Sequence, residues 1–151
     1  MNDDVIRVTS SVIINEKSRF WYVKSRKDGL WGLPAGKVES RESVEEAARR
    51  ETLQELGVYA RLEYIVGIYQ FISSRGHSVF NVVYNGHITK GKPHVVRPKE
   101  ISEIGIFSYE ELSNFYKKRR LRAGIGNIRC IEDYIKGQEL DLKIINNLMK
   151  R

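Results

Sequence analysis

Apolar and polar residues change period several times along the chain, and each change marks an element. Val5 to Ile14 (VIRVTSSVII) is β-branched and partly alternating, which predicts a strand. Asn15–Ser18 is turn chemistry, and Phe20 to Lys24 (FWYVK) predicts a second strand, so the two are expected to form a hairpin. A polar loop, Ser25 to Gly29, follows. From Val44 to Leu56 the pattern becomes helical. Ser43 with Glu46 three residues later is a capping-box signature, and Gly57 is placed for a left-handed stop. Tyr59 to Ile72 is aromatic and β-branched, either one long strand or two broken near Gly67.

A turn over residues 73–77 leads to a returning strand at Ser78–Ile88, then to a basic loop from Thr89 to Pro98. Ile101–Phe107 predicts a short strand. Ser108 and Glu111 form a second capping box, opening a helix to about Lys118. Ile128, Ile131 and Ile135 recur at helical spacing within 127–136, and Leu140 to Met149 predicts a short amphipathic tail helix. Strand pair, helix, further strands and then helices predict an α/β fold, a mixed β-sheet covered by helices on both faces, plus C-terminal helices.

Projecting the 44–56 helix at about 100° per residue puts Val44, Ala48, Glu51 and Glu55 on one face, with Ala47 and Gln54 at its border. Leu53, Leu56 and Arg49 fall on the other side. Two carboxylates one turn apart beside small apolar residues do not suit a dry core, because an unpaired buried charge is costly. From the helix alone three readings stay open: a divalent cation bound by oxygen ligands, pairing with Arg50, or a solvated, salt-bridged surface.

Composition narrows the class. The chain has 151 residues, enough for one domain with a real core, and 41% hydrophobic with 30% charged residues suits a soluble globular protein. No apolar run reaches a membrane span and no signal-like segment opens the chain, so a cytoplasmic protein that meets no membrane is expected. Cys130 is the single cysteine; it forms no internal disulfide and reads as a helix packing residue rather than a nucleophile. The formal charge of +7 favours anionic ligands such as nucleotides, pyrophosphates or nucleic acid. Lys117 to Arg122 is the densest basic cluster, read as a solvated helix end in preference to an RNA contact, since no aromatic platforms are interleaved. His77, His87 and His94 lack metal-ligand spacing, and no P-loop or Gly-x-Ser-x-Gly pattern appears. Trp31 and Pro34 read as loop-fixing residues.

One stretch carries more. Gly36, Glu42, Arg50, Glu51, Glu55, Gly57 and Val58, preceded by Trp31-Gly32-Leu33-Pro34-Ala35, resemble the signature of the Nudix (MutT-like) hydrolase family over residues 36–58. Two positions depart from that pattern: Thr52 stands where an apolar residue is usual, and Gln54 where the first Glu of a pair is usual. The resemblance implies an α/β/α sandwich as one domain over 1–151, with a C-terminal helical extension from about 109. It implies Mg²⁺-dependent (or Mn²⁺-dependent) hydrolysis of a diphosphate linkage in a nucleoside diphosphate derivative, of the NTP, ADP-sugar or dinucleoside polyphosphate type. Glu51 and Glu55 would be the main metal ligands, joined by the Ala35 carbonyl and, directly or through water, by Glu42 and Gln54.

The same resemblance has Arg50 orient the carboxylates. A base or extra ligand outside the box is assigned to Glu100, with Glu103 as the alternative. Arg26 and Lys27 lie where a basic side chain could meet a substrate phosphate, or serve as solvated loop charges. Two other functions compete: pyrophosphohydrolysis at RNA 5′ ends, and a catalytically weak module that binds nucleotide or RNA. A monomer or homodimer is expected.

Overall fold

The first strand, β1 (Arg7–Ile13), is buried from Ser10 onward on both faces, as is Ile14 after it, so it needs neighbours on either side. The computed structural model, which describes residues 5–73 and 75–149, supplies them from far along the chain. β7 (Ser78–Lys90) runs parallel to β1, and β5 (Ala35–Lys37) runs antiparallel on its other side. β6 (Tyr59–Ile72) pairs antiparallel with β7, giving a mixed sheet of order β5-β1-β7-β6.

A second four-stranded sheet is antiparallel. β2 (Asn15–Glu16), β3 (Arg19–Ser25) and β4 (Trp31–Gly32) follow one another, and β8 (Ile101–Ser108) lies along the length of β3. The expected hairpin between 5–14 and 20–24 is therefore corrected. The return onto β3 begins only at its end, where the Ile14 carbonyl accepts from the Trp21 N–H and Asn15–Glu16 pairs with Arg19 and Phe20, because the apolar bulk of β1 is satisfied by sheet neighbours on both edges. β6 is one strand, and its irregularities at Leu62/Tyr64 and Ile65/Gly67 are bulges within it, not a break.

Helix α1 (Val44–Leu56) has both caps that its sequence specifies. Ser43 Oγ accepts from the Glu46 N–H, Glu46 accepts from the Ser43 N–H, and Gly57 sits left-handed at φ 75°. Such a cap is worth about 1 kcal/mol. The buried face is Ala47, Ala48, Thr52 and Leu56, which corrects the projection that put Leu56 opposite Ala48. Thr52 is tolerated there because its hydroxyl donates to the Ala48 carbonyl at 2.7 Å.

α1 packs on one face of the mixed sheet through Val12, Ile14, Leu62 and Tyr84. The other face carries α2 (Tyr109–Lys117) and α3 (Ile125–Ile135), whose Leu112, Ile128 and Ile131 meet Ile13, Val66 and Val83. The expected sandwich of a sheet between helices is thus present. β3 feeds both cores, since Phe20 and Tyr22 face one and Trp21 and Val23 the other. Cys130 is fully buried, and burial pushes its thiol up to about 12, well away from nucleophile chemistry.

The expected tail helix over 140–149 is not formed. Leu140 instead exchanges two backbone hydrogen bonds with Ile65 on the β6 edge (2.7 and 2.9 Å), and only a 3₁₀ turn, Leu142–Ile144, follows. Edge pairing answers the backbone groups that a helix would have used. The turn expected at 73–77 forms through the Ser73 and His77 backbones, although Ser74 within it lies outside the described residues.

Candidate active site

The chain enters the site through Trp31. Its ring is buried, stacked on Phe115 and edge-on to Phe107, so the loop that follows has a fixed origin. The Trp31 backbone also bonds to Arg120 and Arg122. From there Leu33 and Pro34 lead into β5, where Ala35 pairs with Ser11 and Gly36 with Ser10. This short strand lies against α1, and the approach is close. A methyl group added to Gly36 would overlap the Glu51 carboxylate, so the carboxylate occupies the space that a side chain would need. One turn further, Glu55 accepts a hydrogen bond from the Ala35 N–H at 3.0 Å. Strand and helix together hold both carboxylates at the Ala35–Gly36 backbone.

Arg50 organises the neighbouring side of the helix. Its Nε and Nη2 donate to the two Glu42 oxygens at 2.7 and 2.9 Å, and Nη2 also donates to the Lys37 carbonyl at 3.0 Å. Its Nη1 donates to Glu51 at 2.5 Å and to the Gln54 carbonyl oxygen at 3.3 Å. A guanidinium has five N–H donors, and all five are engaged here. Arg50 is therefore a fixed scaffold that has no donor left for a substrate. The same bonds place Glu42 and Gln54. Both oxygens of Glu42 face Arg50, and the Gln54 amide oxygen does so as well.

The electrostatics follow from these contacts. Hydrogen bonding to Arg50 holds the Glu42 carboxyl below its ordinary range and raises the guanidinium. Burial raises Glu51, the Arg50 hydrogen bond only partly offsetting it. Burial beneath the loop raises Glu55 to about 7, against the smaller opposing effects of Arg122 and the Ala35 N–H. Two desolvated carboxylates thus sit side by side, and among the described residues the one cation bonded to the pair, Arg50, reaches only Glu51. Among the described residues no three acidic, histidine or cysteine side chains converge as a closed metal cage.

Glu100 is exposed and paired with Arg97 at 3.7 Å, yet it lies close enough to raise both Glu51 and Glu55. Glu103 is turned to Lys24 at 3.3 Å, on the β3–β8 pair. Arg26 is exposed, with its Nε on the Pro98 carbonyl at 2.6 Å, and Lys27 is exposed beside it. Neither borders the cavity described next.

On the sheet face away from α1, a cavity of about 220 Å³ opens beside Ala35 and Gly36. Phe71, Val79, Asn81 and Arg122 contribute to its walls. Arg122 is the residue the sequence reading missed. It closes the basic cluster but, unlike Lys117 to Arg120, it turns inward: its Nη2 donates to the Leu33 carbonyl at 2.9 Å, and a side chain on Gly32 would collide with its guanidinium. The signal available was Gly32, a glycine before a proline-containing loop. Asn81 carried no signal at all, being one polar residue inside an apolar strand.

The loop, the capped helix and the carboxylate pair occur together in one known family, whose NUDIX domain model matches residues 5–128. The chain belongs to the Nudix family. Phosphatase NudJ of Escherichia coli K12 is 32% identical over 144 residues, covering 93% of this chain and 90% of that one. A shorter stretch of 59 residues, 39% of this chain and 40% of the other, is 44% identical to a Bacillus subtilis protein provisionally named an 8-oxo-dGTP diphosphatase. Among solved structures, a NUDIX hydrolase from Nitrosomonas europaea superposes with a TM-score of 0.85 at 26% identity, over 95% of this chain and 97% of that one. The Nudix assignment makes this chain a hydrolase of acid anhydrides. No helix among the described residues is long and apolar enough to cross a membrane.

Proposed function

We propose that the protein hydrolyses a diphosphate linkage in a nucleoside diphosphate derivative, with a divalent cation, Mg²⁺ or Mn²⁺, at Glu51 and Glu55. The observation that carries this reading is the pair itself: two desolvated carboxylates pinned at Ala35–Gly36, with Arg50 saturated and unable to neutralise both. The donor set fits a hard cation. Mg²⁺ needs only one or two carboxylates beside substrate phosphates and its own waters, so a closed cage is not required.

Glu51, Glu55 and the Ala35 carbonyl would hold the ion. Glu42 and Gln54 stand one step behind, acting through Arg50 or through water. The bound ion would neutralise charge on the diphosphate and lower the pKa of a coordinated water. The chain's own residues do the rest. Arg50 fixes the direction of Glu51. The Ala35 N–H fixes Glu55. Glu100 would ligate further or take a proton from water; its effect on both Glu51 and Glu55 supports it over Glu103, whose side chain is paired with Lys24. Arg26 and Lys27 would meet outer phosphates only at the exposed rim.

The test is release of phosphate or pyrophosphate, with Mg²⁺ and with EDTA, from a panel of NTPs, ADP-ribose, dinucleoside polyphosphates and 5′-triphosphate RNA. Turnover of at least one member, abolished by EDTA and by Glu51→Gln, is expected. Tight binding with no turnover of any member would replace the hydrolase reading with that of a binding module. Turnover of the RNA alone would move the function to RNA 5′ ends.

A further inference from the structure

The floor of the cavity beside Ala35 and Gly36 holds an arrangement that the hydrolytic machinery does not use. Asn81, on β7, pairs in register with Thr9 on β1. Its Oδ1 accepts two hydrogen bonds, from Thr9 Oγ1 at 2.8 Å and from Ser11 Oγ at 3.1 Å. Asn81 is only 8% exposed, and its Nδ2 has no hydrogen-bond partner among the described residues. With the carbonyl end tied to β1 by two hydroxyls, the amide turns its N–H groups away from β1, into the cavity it lines. That donor is open to the cavity, and a ligand that covers it loses affinity unless it brings an acceptor to answer it.

The other polar groups of the cavity sharpen this. Asn127 is tied at both ends of its amide, its Oδ1 accepting from the Leu33 N–H and its Nδ2 donating to the Arg122 carbonyl. Arg122 contributes a guanidinium with further N–H groups. No Asp or Glu lines the cavity. Its polar character is therefore donor-rich, and it suits a ligand that brings acceptors. Size and shape limit the ligand further. Pockets for drug-sized ligands span about 300–1,000 Å³, so about 220 Å³ suits one ring system, with the remainder of the ligand extending from the open mouth. Phe71 offers an aromatic wall and is itself held against the glycine surface of Gly126. Gly36 both lines the cavity and touches Glu51, so a ring seated there directs its attached phosphates at the carboxylate pair.

We propose that this cavity binds the planar heteroaromatic ring of the substrate, and that Asn81, with Arg122, selects rings presenting a carbonyl oxygen over rings presenting an exocyclic amine. The proposal rests on the hydrolase reading above for the direction of the phosphates, but not for the selection itself. An amine directed at the Asn81 N–H groups leaves two donors facing each other. A carbonyl completes the bond.

Matched nucleotides that exchange an exocyclic amine for an oxo group, with the adjacent ring nitrogen gaining its hydrogen, test it: ITP against ATP, and UTP against CTP. The oxo member of each pair is expected to have the higher kcat/KM by on the order of tenfold to a hundredfold, the range for leaving one buried donor unpaired. Asn81→Leu should collapse that ratio to near one. Asn81→Asp, close in shape and still able to accept from Thr9 and Ser11, should turn it toward the amino member. Calorimetric titration of the intact protein with IDP and ADP in EDTA reads the same selection without catalysis, so it stands apart from any failure to hydrolyse. Thermal melts confirm that each variant folds. Equal treatment of the matched nucleotides by the unsubstituted protein, in titration and in any turnover, overturns the proposal. So does a preference that survives in folded Asn81→Leu and Asn81→Asp.

Discussion

Replacing Glu55 with Gln separates what the site needs for folding from what it needs for chemistry. The amide keeps the side-chain length and the oxygen that accepts from the Ala35 N–H, and removes only the ionisable group. Burial raises the folded-state carboxyl from 4.5 to about 7. An acid raised in this way binds its proton more tightly in the folded chain. Below about pH 4.5 both states are protonated and the carboxyl costs nothing. Between there and about pH 7 the unfolded chain has released its proton and the folded chain has not, so stability falls as pH rises. Above that the loss is complete, at about 3 kcal/mol for a shift of this size.

Glu55→Gln should therefore be more stable than the parent by up to about 3 kcal/mol at pH 8 in EDTA, or roughly 6–12 °C in Tm for a chain of this length. At pH 5 the difference should shrink below about 1 kcal/mol. Urea unfolding at the two pH values measures both. Saturating Mg²⁺ should narrow or reverse the order at pH 8, because a ligand of the folded state stabilises only the chain that binds it. Turnover should fall by orders of magnitude. A variant less stable than its parent at pH 8 without metal, or a gap unchanged at pH 5, would refute the claim that an uncompensated buried carboxylate sits there.

Two further substitutions probe the same wall from other sides. Gly36→Ala needs no unusual backbone angle but drives a methyl into the Glu51 carboxylate; it should lower kcat by on the order of a hundredfold, the scale for misplacing a reacting group by about 1 Å, while circular dichroism shows the fold retained. Gln54→Glu should strengthen the contact with Arg50 by about 0.5–1 kcal/mol and leave the Mg²⁺ titration midpoint of activity unchanged; a large gain in metal affinity would place position 54 at the ion instead.

Chemistry confined to a few neighbouring residues was legible without the fold. Ser43 with Glu46, and Ser108 with Glu111, cap their helices through bonds three residues apart, so the helix starts follow from the sequence. The register of Glu51 and Glu55, one helical turn apart, follows in the same way, as does the family that their spacing with Gly36 and Gly57 resembles. What escaped was set by distant partners. Val5–Ile14 looked like half of a hairpin because nothing local reveals that β1 is a central strand paired with β5 and β7. The 140–149 tail looked helical because its apolar spacing cannot show the open β6 edge that Leu140 joins.

Arg122 and Asn81 are the sharpest cases. The first bonds a carbonyl 89 positions away, and the second accepts from hydroxyls 70 and 72 positions away. In the sequence one is the end of a basic run and the other a polar interruption in a strand. The sequence by itself determined the carboxylates, their helix and the class of reaction. Tertiary structure alone decided which side chains surround them, because burial and long-range hydrogen bonds turn Arg122 and Asn81 into walls of a cavity.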